Sequence, residues 1–185
     1  MEKKDLLFYL RVGGILLLIC ALIALMLAGV HKLTKDAIAA HKAEKIRTAI
    51  GAMFPDSTPT EEAVPAGHKQ VLAAYTVTKD SNGVGYCYTV SANGFGGAVE
   101  LMVGIDTAGK ICGVEVIAHS ETSGIGSNAL TAGYLSRYNG RYGNLTLGKD
   151  VDAYTGATVT SKAVLAAVNA ALAAHTAQTE GGASA

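Results

Sequence analysis

Hydrophobic and polar positions change rhythm several times along the chain, and each change predicts an element. From Val12 to Val30 the sequence reads VGGILLLICALIALMLAGV, with no charge. As a helix this run spans roughly 28 Å, close to the hydrocarbon thickness of a bilayer. It lacks the polar stripe of a core helix. A cleaved leader would need a shorter apolar run ending in small residues, and Ala28-Gly29-Val30 is a poor cleavage site. The pattern predicts an uncleaved anchor over 12–30 behind a head of residues 1–11. In residues 31–53, Ile38, Ile46, Ile50 and Met53 recur among lysines and alanines, the rhythm of an amphipathic helix that serves as stalk or packing element. Phe54-Pro55 stops it, and residues 55–67, which hold all three prolines, read as a linker loop.

The period then drops to two. Val71–Lys79, Val84–Ala92, Gly97–Asp106 and Lys110–Ala118 each read as a strand, with turn residues such as Asn93-Gly94 and Thr107-Ala108-Gly109 between them. Gaps this short require antiparallel neighbours, because a parallel crossover needs a dozen residues or more. The polar loop His119–Gly126 follows, then a helix over Ser127–Tyr138 with Leu130, Tyr134 and Leu135 on one face. Residues 139–152 are irregular, and an alanine-rich helix runs from about Lys162 to Ala174. The small, polar tail from Thr176 reads as disordered. Strands first and helices afterwards predict an α+β domain over 68–175.

Charge adds an exclusion. The 185 residues carry 15 basic and 15 acidic side chains and 50% hydrophobic residues. Residues 1–30 hold three basic and two acidic groups, so the remainder has a net charge of −1. No basic footprint for a phosphate backbone exists, which excludes nucleic acid. Orientation is not settled by charge: Lys3, Lys4 and Arg11 precede the span, while Lys32, Lys35, Lys42, Lys45 and Arg47 follow it. Cys20 lies in the span, and Cys87 and Cys112 fall in strands where they could pair. Their spacing fits no metal site.

Three segments could carry chemistry. Gly124-Ile125-Gly126-Ser127-Asn128-Ala129 satisfies a dinucleotide fingerprint in form, but it ends a meander rather than opening a βαβ unit. His119 beside Glu121 has no nucleophilic serine or cysteine elbow for company and reads as a hydrogen-bonded strand end. Thr155-Gly156-Ala157-Thr158-Val159-Thr160-Ser161 stands before the last helix. An N-cap needs one hydroxyl, Thr160 or Ser161, and is worth about 1 kcal/mol. The remaining hydroxyls, the glycine and the free N–H groups of a helix start equally suit a phosphate, with Lys162 nearby.

Asp152-Ala153-Tyr154-Thr155-Gly156-Ala157-Thr158 resembles the flavinylation motif of the covalent-FMN-binding domain family, in which an aspartate precedes an S/T-G-A-T element. His119-Ser120-Glu121-Thr122-Ser123-Gly124-Ile125-Gly126 is similar to that family's H-x-E-T-P-G-L-G loop, with Ser123 in place of the proline and Ile125 in place of the leucine. One anchor and one domain resemble the G-subunit branch, from Rnf-type electron-transport complexes. The C subunits of sodium-pumping NADH:quinone reductases share both motifs and are usually longer.

The resemblance implies an FMN joined by its phosphate to the Thr158 hydroxyl. Thr155, Gly156 and Ala157 would shape the presenting turn, with the Thr160 and Ser161 hydroxyls beside it. Glu121, Thr122, Gly124, Ile125 and Gly126 would contact the flavin, and Asp152 would be read by the flavin transferase that takes FMN from FAD. It further implies a single-pass membrane protein with its domain outside the cytoplasm, among the other membrane subunits of a ferredoxin–NAD oxidoreductase. No side chain is expected to be catalytic and no metal is expected, because the flavin carries the chemistry. A flavin-free adaptor with the same fold is the alternative outside redox chemistry.

Overall fold

A computed structural model describes residues 3–80 and 82–182. Met1, Glu2, Ser81 and residues 183–185, from the expected head, first turn and tail, lie outside the described residues. The chain divides into two units, residues 1–43 and 44–185.

The first unit is helical. It forms most of α1 (Lys3–Met53), in which the expected anchor and the expected amphipathic helix are one element. Within α1 lies a stretch long and apolar enough to cross a membrane. Its large side chains, Leu16, Leu17, Leu25 and Leu27 among them, are exposed.

The second unit is built on one antiparallel sheet of order β1-β2-β3-β4-β5. Its strands are β1 (Thr58–Glu62), β2 (Val71–Lys79), β3 (Asn82–Asn93), β4 (Ala98–Asp106) and β5 (Ile111–His119). The four-strand meander read from the alternation is there, each boundary within two residues of expectation. The fifth strand is β1, where a loop was expected. All five of its residues are exposed, so no alternation of burial marks it, and Pro59 is tolerated because the strand lies at the edge.

The two faces of the sheet are covered differently. Tyr88 and Val90 of β3, with Leu101, Val103 and Ile105 of β4, face α3 (Thr158–Gly182). Ala163, Ala167 and Ala171 alternate there with Val164, Val168 and Leu172, a repeat of four that gives the helix one continuous apolar face. Cys87, before Tyr88, and Met102, between Leu101 and Val103, point to the other face. There the last turns of α1 bring Ala49, Ile50 and Phe54 onto Val77 and Ile117. Residues expected to be linker therefore belong to the folded unit from Glu44 onward.

Glycines make the seat for α1. A Cβ on Gly104 would fall 2.6 Å from Met53 Sδ, and one on Gly113 2.7 Å from Met53 Cγ. Met53 thus fills a hollow that any side chain at those two strand positions would close. Gly104 pairs with Cys87 on one side and Gly113 on the other, so a whole strand separates Cys87 from Cys112. The two cysteines are free, and the pairing that was open from sequence does not form. Burial raises both thiols, Cys112 to about 11.

Two helical expectations need correction. Ser127–Tyr138 is not one helix. It is a 3-10 turn (Gly126–Leu130), a short α2 (Ala132–Leu135) and a second 3-10 turn (Ser136–Tyr138). Extended Thr131 (φ −71, ψ 147) breaks it. The tail is ordered as far as Gly182, since α3 runs on through Thr176. Buried His175 and Gln178, which accepts from the Tyr88 hydroxyl at 2.9 Å, hold it to the sheet. No breaker stands before Gly181-Gly182.

Candidate functional site

The segment 119–126 leaves β5 as an irregular loop because its polar residues and its glycines favour turns over a continued strand. Ile125 N and Ser127 N both donate to Thr122 O, at 3.2 and 3.3 Å, and close the loop into a compact turn. Gly124 sits at φ +78, in the left-handed region where a glycine is needed. Its N–H donates to Ser127 Oγ at 2.9 Å. This leaves Ile125 projecting, 57% exposed.

The second motif forms the entry to α3. Ala157 N donates to Tyr154 O at 3.0 Å across a turn that places Gly156 at φ +83. Ser161 N donates to Ala157 O at 2.9 Å and is the first amide paired within the helix. The amides of Thr158, Val159 and Thr160 are therefore the unpaired donors of the helix start. The residue before the helix is Ala157, which has no hydroxyl, so the expected cap by Thr160 or Ser161 is not made. Ser161 is fully buried: its Oγ accepts from Tyr154 N and donates to Ala157 O, both at 3.0 Å. It holds the turn together and faces no cavity.

These two segments meet a third, the hairpin tip between β3 and β4. A cavity of about 300 Å³ is lined by Phe95, Ile125, Gly126, Gly156, Ala157, Thr158, Val159 and Thr160. Residues far apart in sequence, from both motifs, thus share one wall. Phe95 and Val159 were not singled out from sequence. Phe95 stands in Gly94-Phe95-Gly96-Gly97, a lone aromatic on a glycine turn and 73% exposed, which is the signal that could have found it.

Thr158 is exposed on the first turn of α3 and lines the cavity. Thr155, Asp152, Thr122 and Gly124 are exposed and do not line the cavity. Glu121 is not a lining residue either. It is buried behind the wall, where its Oε1 accepts from Phe95 N at 2.7 Å and Gly96 N at 3.3 Å. Its Oε2 has no hydrogen-bond partner among the described residues. His119 Nδ1 accepts from Glu121 N at 3.2 Å, which accords with the hydrogen-bonded strand end read from sequence.

The chemistry of this lining is specific in kind. Phe95, Ile125 and Val159 offer apolar surface to a flat ring, while a hydroxyl and three unpaired amides at a helix start offer a seat for an anion. Gly126 keeps the wall thin: a Cβ there would fall 2.0 Å from Glu121 Oε2 and 3.0 Å from Thr160 Oγ1. A molecule with a planar head and a phosphate fits both halves. A second cavity, of about 520 Å³, lies toward the other end of α3 beside Gly109, Asn169 and His175, and holds none of the residues singled out from sequence.

The comparisons with known proteins fall on the same segments. Residues 94–173, from the hairpin tip into α3, match the FMN-binding domain family. The G subunit of the ion-translocating oxidoreductase complex of Haemophilus influenzae (strain PittEE) is 30% identical over 171 residues, covering 82% of this chain and 81% of that protein. The Vibrio vulnificus G subunit is 27% identical over 182 residues, 86% of each chain. The G subunit of the proton-translocating ferredoxin:NAD(+) oxidoreductase complex of Clostridium ljungdahlii is 33% identical over 105 residues, 53% of this chain and 57% of that one. Among solved structures, Shewanella oneidensis NqrC superposes with a TM-score of 0.53 at 17% identity. The match covers 71% of this chain and 91% of that one, a likeness of fold.

Proposed function

The chain belongs to the G-subunit family of the ion-translocating oxidoreductase complexes, and on that premise we propose that it is a membrane-anchored electron-transfer protein carrying FMN bound covalently at Thr158. The observation that carries this reading is the shared cavity: Gly156, Ala157 and Thr158 of one motif and Ile125 and Gly126 of the other line one space, with the exposed Thr158 among its walls.

FMN, when bound, supplies reversible one-electron exchange, and the protein's part is to hold and tune it. Thr158 Oγ would bond the phosphate. The flavin transferase would take FMN from FAD: the Oγ–phosphorus bond forms, the pyrophosphate bond breaks, and AMP and the hydroxyl proton leave. The unpaired amides of Thr158, Val159 and Thr160 would hold the FMN phosphate without a counter-ion from a side chain. Phe95, Ile125 and Val159 would give the flavin ring apolar walls and exclude water from it. Thr155 and Gly156 present the hydroxyl, and exposed Asp152 is accessible to the transferase. A tether of this kind suits a compartment with no FMN pool to replace a lost cofactor.

The partners in this reading are the other membrane subunits of an Rnf-type ferredoxin–NAD complex. The apolar part of α1 crosses the membrane and the FMN domain lies outside the cytoplasm. A phosphatase fusion at the C-terminus tests orientation, with activity expected and its absence placing the domain inside. Cofactor attachment is tested by expressing the chain with the flavin transferase and imaging a denaturing gel. Wild type should fluoresce and Thr158→Ala should be dark. A dark wild type, or a variant as bright as wild type, refutes the assignment.

A further inference from the structure

Glu121 stands behind the cofactor cavity rather than in it, and its surroundings show a division of labour between its two oxygens. It is 7% exposed. Burial of a carboxylate is costly unless its lone pairs find donors. Oε1 finds two, the amides of Phe95 and Gly96. Oε2 finds none among the described residues.

The backbone has been thinned around this side chain. A Cβ on Gly94 would fall 1.9 Å from Oε1, and one on Gly126 2.0 Å from Oε2. A Cβ on Gly96 would meet Ser120 O at 2.4 Å. The hairpin tip and the loop after β5 therefore approach to backbone contact with Glu121 between them. The unmatched Oε2 lies against Gly126, a residue of the cavity wall.

The tip itself needs a clamp. Gly94 N donates to Gly97 O at 2.8 Å, and beyond this the tip is glycine on both sides of Phe95. The ring is mostly exposed, so packing does not fix it. What ties this backbone to the rest of the site is the pair of bonds to Oε1.

We propose that Glu121 is a positioning residue with two tasks: Oε1 clamps the hairpin so that Phe95 stands as a wall of the cavity, and the carboxylate charge behind Gly126 opposes added negative charge on a bound cofactor. The first task stands on this chain's own geometry, and the second rests on the FMN reading above. Glu121 thus acts through the Phe95 tip and through its field, without touching the cofactor.

The test uses the full chain in detergent, with and without the flavin transferase, in wild type, Glu121→Ala and Glu121→Gln. Hydrogen exchange on the cofactor-free protein reads the clamp. In Glu121→Ala the Phe95 and Gly96 amides should exchange about tenfold faster or more, as expected for loss of a bond to a charged acceptor, while β3 and β4 keep their protection. Glu121→Gln retains a carbonyl acceptor and should keep most of the tip's protection. A redox titration of the loaded protein reads the field, and Glu121→Gln should move the flavin midpoint to a more positive potential.

Unchanged exchange at Phe95 and Gly96 in Glu121→Ala overturns the clamp. An unchanged or more negative midpoint in Glu121→Gln overturns the field. If Glu121→Ala loses protection throughout the sheet, Glu121→Gln decides alone: with a neutral acceptor in place of a charged one the Phe95 and Gly96 amides should exchange a few-fold faster while the sheet stays protected, and unchanged rates there would count against the clamp. A wild type without flavin refutes the FMN reading, yet leaves the exchange result to judge the clamp.

Discussion

The two ends of α3 are both rich in polar side chains, and they treat them in opposite ways. At its C-terminal end the groups satisfy one another. The Tyr88 hydroxyl donates to Gln178 Oε1 and lies 3.4 Å from His175 Nδ1, Gln178 donates on to Glu62, and Glu62 also accepts from Thr76. The chain of bonds ties β1, β2 and β3 to the helix and satisfies these groups within the fold. At its N-terminal end the amides of Thr158 to Thr160 have no intrahelical partner, Thr158 is exposed, and Glu121 keeps an oxygen unmatched. Polar groups that pair within the fold mark a fastening, whereas polar groups left open around a cavity mark a site.

Five substitutions would break or sharpen that contrast. The largest effect belongs to Thr158→Ala, which should abolish in-gel flavin fluorescence. Thr176→Ala, a hydroxyl that donates to Leu172 O at the other end, should leave the fluorescence intact. Next comes Gly126→Ala. Its Cβ would be forced against Glu121 Oε2, at a cost of about 1–3 kcal/mol for overpacking. Thermal melting and flavin loading should both fall, and a variant with unchanged loading would show the wall to be pliant.

A smaller effect is expected for Tyr88→Phe. Removal of one hydroxyl leaves Gln178 without its donor and should cost about 1 kcal/mol in chemical denaturation. Flavin loading should be untouched, since the loss falls at the fastened end. The smallest is a pH effect at His175. Burial lowers its pKa from the ordinary value of 6.5, partly opposed by the charge of Asp106. The unfolded chain then binds a proton that the folded chain does not, so His175 makes the fold lose stability as pH falls through and below 6.5. Melting temperature followed from pH 7.5 to 5.5 should drop less steeply in His175→Gln than in wild type.

The contrast also explains what was legible in the sequence. β2 to β5 could be read because their apolar and β-branched residues stand in short runs bounded by turn residues, although β3 and β4 are buried on both faces, and α3 because Ala163, Ala167 and Ala171 recur at helical spacing. β1 could not, because a fully exposed edge strand has no burial to alternate. The end of α3 was hidden for another reason: Gln178 is held by Tyr88, 90 residues away in sequence, and long-range bonds leave no local trace. The tail from Thr176 thus resembled a solvated segment although its backbone is helical to Gly182.

At the site, both motifs were visible as glycine and hydroxyl clusters, and the family resemblance joined them. The cavity shows what the motifs alone left out. Phe95 precedes Ile125, the first lining residue of the nearer motif, by the whole of β4 and β5, and reaches it only through the hairpin; its sequence neighbourhood announced a turn and nothing more. Ser161 misled in the other direction. A serine beside a candidate phosphate seat suggests a ligand, yet this one is spent on the turn between Tyr154 and Ala157.

The hollow made by Gly104 and Gly113 has a chemical consequence of its own. Met53 is the plug, and its thioether can take up an oxygen atom to become a sulfoxide, a larger and strongly polar group. Against the two glycine backbones that oxygen would find no room and no donor but the weak Cys112 thiol, so the side chain would have to swing out toward the cavity it shares with Ser136 and Asn139. Oxidation at this one atom would therefore expel the plug and loosen the foot of α1. Peroxide treatment should open the peptide bonds around Phe54 to protease in wild type, and leave them closed in Met53→Leu.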